Sequence, residues 1–194
     1  MVKTTSMILD DLKSYKNPAS KLGRMAKSGE YTQIVRGLYE TDRFVPGYLL
    51  AGCIYGPSYL SFEFALGYYG MIPEAVYTFT SATYDKKKKK MYETPFGRFT
   101  YRDIPAAAYP FDILLVQEGD YTFQIASPEK ALCDKIYELS PVNTQKAMLE
   151  LLMEDLRIEQ ETLRRLSLQT IGELYGKYHS TNVKLLHKTL KRMR

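Results

Sequence analysis

Residues 55–74 read YGPSYLSFEFALGYYGMIPE: nearly all aromatic, glycine or small, with two glutamates and no His, Lys or Arg. The pattern predicts a helix over 61–70, capped by Ser61 and ended by Gly70. Phe62, Phe64, Ala65, Leu66, Tyr68 and Tyr69 leave this helix little polar arc, and a helix apolar nearly all round belongs in a core. Ser58, Tyr59, Ser61 and Glu63 are expected to cap helices and satisfy buried backbone rather than do chemistry. The stretch therefore reads as the buried spine of a domain whose business is done elsewhere.

Working outward toward the C-terminus, a helix over 46–55 opens at Pro46. Segments 75–80, 96–102, 111–117 and 121–126 are rich in Val, Ile, Phe, Tyr and Thr between Gly, Pro and Asp, and predict strands of an antiparallel sheet. The run DKKKKK, residues 85–90, falls between the first two and reads as a solvated loop, with contact to a backbone phosphate as the other reading. From ASPEKALCDKIYEL onward the chain predicts helices. Ser127 caps the first, Pro128 takes its first position, Glu129 favours its N-terminus, and Leu132, Ile136 and Leu139 form the inner stripe. Further helices are expected at 144–156, 159–166, 168–178 and 181–193. The last buries Val183, Leu186, Leu190 and Met193 and leaves Lys184, Lys188, Lys191 and Arg192 in solvent.

Toward the N-terminus, a short helix over 6–15 turns Ile8, Leu9 and Leu12 inward. Asn17 is a good N-cap, Pro18 a good first helical residue, and Gly29 a stop. Leu22, Met25 and Ala26 share one face at i, i+3, i+4, while Ser20, Lys21, Arg24, Lys27 and Ser28 occupy the opposite arc. EYTQIV then predicts a strand, Arg36-Gly37 a turn and LYE the return strand. Helix, helix, hairpin is a compact version of the winged helix-turn-helix. Between residues 12 and 39 stand six basic residues and one acid, Glu30, the balance that a helix facing phosphates requires. A merely solvated basic face is the plainer alternative.

Composition bounds these readings. An apolar content of 45% is that of a globular chain and argues against disorder. No stretch approaches the roughly eighteen uninterrupted apolar residues of a transmembrane helix. Asp10 and Asp11 interrupt the first residues before any signal-peptide core could form, so a cytoplasmic protein is expected. Cys53 and Cys133, far apart among apolar residues, are expected to be two reduced, buried thiols. The net charge of +5 is uneven. Residues 1–45 carry eight Lys/Arg against five Asp/Glu, residues 46–176 thirteen against seventeen, and residues 177–194 six against none. Basic ends around an acidic middle point to polyanion contact at the ends.

No motif of catalysis stands out. His179 and His187 have no HExxH around them, no cysteine pair lies at zinc spacing, and there is no G-x-S-x-G, P-loop or G-x-G-x-x-G. The Gly-Pro-Ser at 56–58 is similar to the Gly-Ser of nucleotidyltransferases, but no D-x-D or D-x-E follows to hold metals. Asp112 and Glu118 are neighbours in sequence without the Glu-x-Lys of a nuclease strand. No enzymatic activity, cofactor or metal is expected.

In order, GEYTQIVRGLYE (29–40), YGPSYLSFEFALGYYGMIPE (55–74), FGRFTYRDIP (96–105) and IASPEKALCDKIY (125–137) resemble the AbiEi-type antitoxins, the transcriptional-regulator halves of type IV toxin–antitoxin, phage-abortive-infection operons. The resemblance runs from about residue 6 into the C-terminal helices. It implies an α+β fold: a short N-terminal winged helix-turn-helix over 1–45, then a mixed antiparallel-sheet and helical antitoxin domain over 46–194. It implies repression of its own operon through operator DNA, and action against a nucleotidyltransferase-fold toxin encoded nearby. Here two helices, rather than three, precede the wing. The expected DNA contacts are Ser20, Lys21, Arg24, Lys27 and Arg36, mostly to phosphates, with Arg24 and Ser20 the candidates for base edges. A monomer or weak dimer, cooperative on repeated sites and without membrane contact, is expected. Two other readings remain open from sequence. One is an interaction protein that docks on the toxin or its nucleic acid without binding an operator. The other is a degenerate nuclease.

Overall fold

Asn17, Pro18 and Gly29 act as their chemistry dictates. In the computed structural model, which describes residues 1–194, α1 (Thr5–Asp11) is followed by α2 (Pro18–Ser28). The Asn17 side chain accepts from the Ser20 N–H at 3.0 Å, and Gly29 ends the helix in the left-handed region at φ 82°. The hairpin β2 (Thr32–Val35) and β3 (Leu38–Glu40) is joined by a strand that the sequence pattern did not reveal, β1 (Val2–Thr4), giving the order β1-β3-β2. The first helix ends at Asp11 rather than at residue 15. Ile8, Leu12, Leu22 and Tyr31 form a small core of their own, whereas Ile34 on β2 belongs to the main core.

The expected helix over 46–55 is a 3-10 turn, Gly47–Leu50, running into one turn of α-helix, α3 (Ala51–Ile54). Gly47 is needed there by close approach: a Cβ would meet the Phe96 carbonyl oxygen at 2.2 Å and the Phe79 ring at 2.3 Å. Cys133 is buried, but Cys53 is exposed, because a single helical turn lies on the surface and Cys53 is on its open side.

The second sheet has six strands: β4 (Tyr59–Leu60), β5 (Thr78–Thr83), β6 (Lys90–Thr94), β7 (Gly97–Asp103), β8 (Ile113–Glu118) and β9 (Tyr121–Ala126), in the order β6-β7-β5-β4-β9-β8. It is mixed rather than antiparallel: β5 runs parallel to β7, and β4 parallel to β9. The chain reverses in the lysine-rich loop to form β6 and again at Pro95–Gly97 to form β7. Two reversals leave β7 running in the direction of β5, beside which it inserts. The lysine run itself is loop up to Lys89, and Lys90 starts the edge strand β6, where lysines blunt further pairing.

The middle of the 55–74 stretch is the spine that its composition predicts, but Tyr68, expected inside, is 46% exposed. α4 (Phe62–Tyr68) buries Phe62, Phe64, Ala65 and Leu66. Its polar residues behave otherwise than expected. Ser61 makes no capping bond; its hydroxyl, like that of Tyr59, is spent on a buried carboxylate. That carboxylate is Asp134 of α5 (Pro128–Glu138), a helix capped by Ser127 through the Lys130 N–H at 3.1 Å. Asp134 Oδ2 accepts from the Tyr59 hydroxyl at 2.9 Å and the Ser61 hydroxyl at 2.6 Å. Asp134 Oδ1 accepts from Tyr178 at 2.5 Å and from the Lys130 ammonium at 3.3 Å. Lys130 gives its other two protons to the Tyr178 hydroxyl at 2.6 Å and the Ala108 carbonyl at 2.8 Å. The carboxylate's four lone-pair directions and the ammonium's three protons are thus all used.

Four more helices complete the chain: α6 (Gln145–Glu150), which runs on through a π-helical turn to Asp155, then α7 (Gln160–Arg165), α8 (Leu168–Tyr178) and α9 (Thr181–Arg192). Asn182 of α9 closes the end of α5. Its amide donates to the carbonyls of Ile136, Leu139 and Ser140, and its oxygen accepts from the Val142 N–H. Ile136 lies in the last turn of α5, whose carbonyls a helix end leaves without partners, and Leu139 and Ser140 follow directly after it. No helix is long and apolar enough to cross a membrane.

Candidate nucleic-acid interface

α2 is amphipathic by sequence and by burial. Leu22 is buried and Met25 and Ala26 are half-buried, while Ser20, Arg24 and Lys27 are exposed together on the other arc. Lys21 is half-buried, and its ammonium lies 5.3 Å from the centre of the Tyr15 ring. Arg36 is exposed in the β2–β3 turn, where Gly37 takes φ 86° and its carbonyl accepts from the Thr5 N–H at 3.0 Å. That bond ties the turn to the start of α1. The structure gathers Ser20, Arg24 and Lys27 on one face and sets Lys21 beside them against Tyr15, while Arg36 stands on a different element, the hairpin turn.

Lys21, Arg24, Lys27 and Arg36 form no ion pair, whereas Lys3 pairs with Asp11 at 2.6 Å and Lys13 with Asp10 at 3.5 Å. Lys16 and Arg43 are unpaired as well, so six of the eight basic side chains of the first 45 residues are free, four of them on α2 and the hairpin turn. Unpaired, hydrated cations on a rigid helix are poised to exchange their counterions for phosphates.

Asp112 and Glu118 flank β8 at its two ends. Asp112 accepts from the Ser127 hydroxyl, and Glu118 accepts from the Tyr48 hydroxyl at 2.6 Å. Six strand residues put roughly 20 Å between them, too far for two carboxylates to share one ion.

A second charged feature escapes sequence reading. An open cleft of about 860 Å³ is lined by Glu63, Thr78, Thr100, Arg102, Lys135 and Glu138, among others. Arg102 donates to Glu63 at 2.6 Å and to Glu138, and Lys135 donates to Glu63 at 2.6 Å. The guanidinium lies 4.1 Å from the centre of the Phe62 ring, a cation–π contact. Burial alone would raise the Glu63 pKa, but the Arg102 charge and the bonds from Lys135 and Arg102 outweigh it and bring the carboxyl down to about 2. The network ties α4, β7 and α5 together with its charges balanced, so it serves the fold rather than polyanion binding.

The sign of the shift gives a test. A carboxyl depressed from its ordinary 4.5 to about 2 contributes stability in full above pH 4.5, and this stability is lost as pH falls toward 2. Glu63→Gln is expected to lower the urea midpoint at pH 7 and to flatten its dependence between pH 4.5 and 3. A variant with the wild-type acid slope would mean that the ion network contributes nothing to stability.

No protein-family model matches the chain, and no curated protein matches its sequence.

Proposed function

We propose that the chain is an AbiEi-like antitoxin that represses its own operon. In this reading residues 1–45 are a small winged helix, α2 is its recognition helix and the β2–β3 hairpin its wing. The observation that carries DNA binding is the set of exposed, unpaired cations on α2, opposite the apolar residues that hold the helix to its small core. Lys21, Lys27 and Arg36 contact phosphates, while Ser20 and Arg24 reach toward base edges. The antitoxin half of the proposal rests on the four ordered motifs. It is tested by co-expression with the product of a neighbouring nucleotidyltransferase-like gene, which the chain is expected to render harmless.

DNA binding is tested by gel shifts on the region upstream of its own gene at several salt concentrations. Lys27→Ala is expected to weaken binding and to flatten the plot of log affinity against log salt by about 0.9, the share of one phosphate contact on duplex DNA. Arg24→Ala is expected to cost a further 1–3 kcal/mol on the preferred sequence, roughly, if its guanidinium pairs with a guanine edge. Equal affinity and slope for the wild type and the Lys21, Arg24, Lys27 triple alanine variant would mean that α2 does not hold DNA. The basic helix would then be a docking surface for the toxin.

A further inference from the structure

The C-terminal helix carries a second concentration of charge. Residues 177–194 hold six Lys/Arg and no Asp or Glu. On α9, Val183, Leu186 and Leu190 are buried, and Lys184, Lys188, Lys191 and Arg192 are exposed. Spacings of four and three align the three lysines in one stripe along the helix. None of the three forms an ion pair or donates to a protein acceptor. Arg192 carries the charge further round the helix and donates to Gln145 of α6 at 3.3 Å.

We propose that α9 is a second nucleic-acid contact, independent of α2. A phosphodiester backbone tracks Lys184, Lys188 and Lys191, with Arg192 at the C-terminal end of the helix. From residue 184 to residue 192 the helix rises about 12 Å, the axial length of three to four nucleotides of a duplex strand. An anionic membrane is the poorer occupant. A helix that lies on lipid inserts an apolar face, and the apolar face of α9 is already buried in the core.

The test uses the full chain with two probes, a mixed-sequence DNA duplex and a mixed-sequence single-stranded RNA, by fluorescence anisotropy at several salt concentrations. With Lys184, Lys188 and Lys191 all changed to Ala, the slope of log affinity against log salt is expected to fall by about 2–3, or 0.7–0.9 per contact. The probe that loses more identifies the preferred strand. The melting temperature of the lysine variant is expected to stay at the wild-type value, because all three side chains are exposed and unpaired. Unchanged affinity and slope in the lysine variant on both probes, or binding to phosphatidylserine vesicles alone, would overturn the proposal. The α2 triple variant is measured in parallel. Loss of binding there, with none in the α9 variant, removes this proposal and leaves the α2 reading standing; the converse result does the reverse.

Discussion

Asp134→Ala is expected to cost about 3–5 kcal/mol, the largest single effect of any substitution in the polar interior. The side chain is wholly buried, and its two oxygens accept from Tyr59, Ser61, Tyr178 and Lys130. Truncation leaves the Lys130 ammonium in the core without a counter-charge, and leaves three hydroxyls to find new acceptors. Burial already lowers the Lys130 pKa, and the Asp134 charge and its bond hold it partway up. Without the carboxylate the amine is driven toward its neutral form. For a chain of this length each kcal/mol moves the melting temperature by about 2–4 °C, so a fall on the order of 10 °C is expected. Replacing both partners, Lys130→Met with Asp134→Leu, should cost less than Asp134→Ala alone, because no unpaired charge stays behind. An Asp134→Ala protein that melts with the wild type would show that the pair is not what pins α5 to β4 and α8.

Those partners explain what the sequence could and could not disclose. Local chemistry was legible. Asn17, Pro18 and Gly29 bound α2, Ser127 and Pro128 begin α5, and the segments read as 121–126 and 168–178 are β9 and α8 to the residue. Each is specified by residues within a few positions of itself. β4 is only two residues long and has no period to detect, β1 is an edge strand of three, and β6 begins inside a lysine run. The parallel pairs were hidden for a different reason. Composition marks a strand but not its neighbour, and β4 meets β9 across some 65 positions, Leu60 opposite Ile125.

The same division runs through the sites. The basic arc of α2 and the lysine stripe of α9 follow from helical periodicity alone, so both were visible in the residue order. The bonds of Arg102 to Glu63 and Glu138, and of Asp134 to Tyr59 and Ser61, join residues 36 to 75 positions apart. Glu63 and Ser61 looked like helix-cap residues because caps are the local use for such side chains. The tertiary fold offered them stronger, charged partners and took them instead.

Phe64→Ala separates the two roles open to the aromatic stretch, core or contact surface. The ring lies in an aromatic cluster, with centroids at 5.4 Å from Phe79, 5.7 Å from Tyr48 and 6.4 Å from Tyr68. Its own N–H donates to the Thr80 hydroxyl at 3.0 Å, and that hydroxyl donates onward to the Ser61 carbonyl at 2.6 Å. The backbone of α4 is therefore fixed to β5, and α4 cannot slide to fill a void. A cavity that fails to collapse sets the cost at about 3–5 kcal/mol. Phe79 loses an edge contact and Tyr48 a tilted one, and the hold of Tyr48 on Glu118 is expected to loosen with them. Tyr77→Ala is the control: at 85% exposure the side chain leaves no cavity behind, and its loss should stay within about 0.5 kcal/mol. Urea unfolding should move the Phe64→Ala midpoint down with its slope unchanged, the mark of lost stability rather than of a changed unfolded state. The proposed toxin neutralisation should then fall only as far as the folded fraction falls. If instead Phe64→Ala melts with the wild type and loses neutralisation outright, the α4 aromatics meet a partner, and the spine is a working surface.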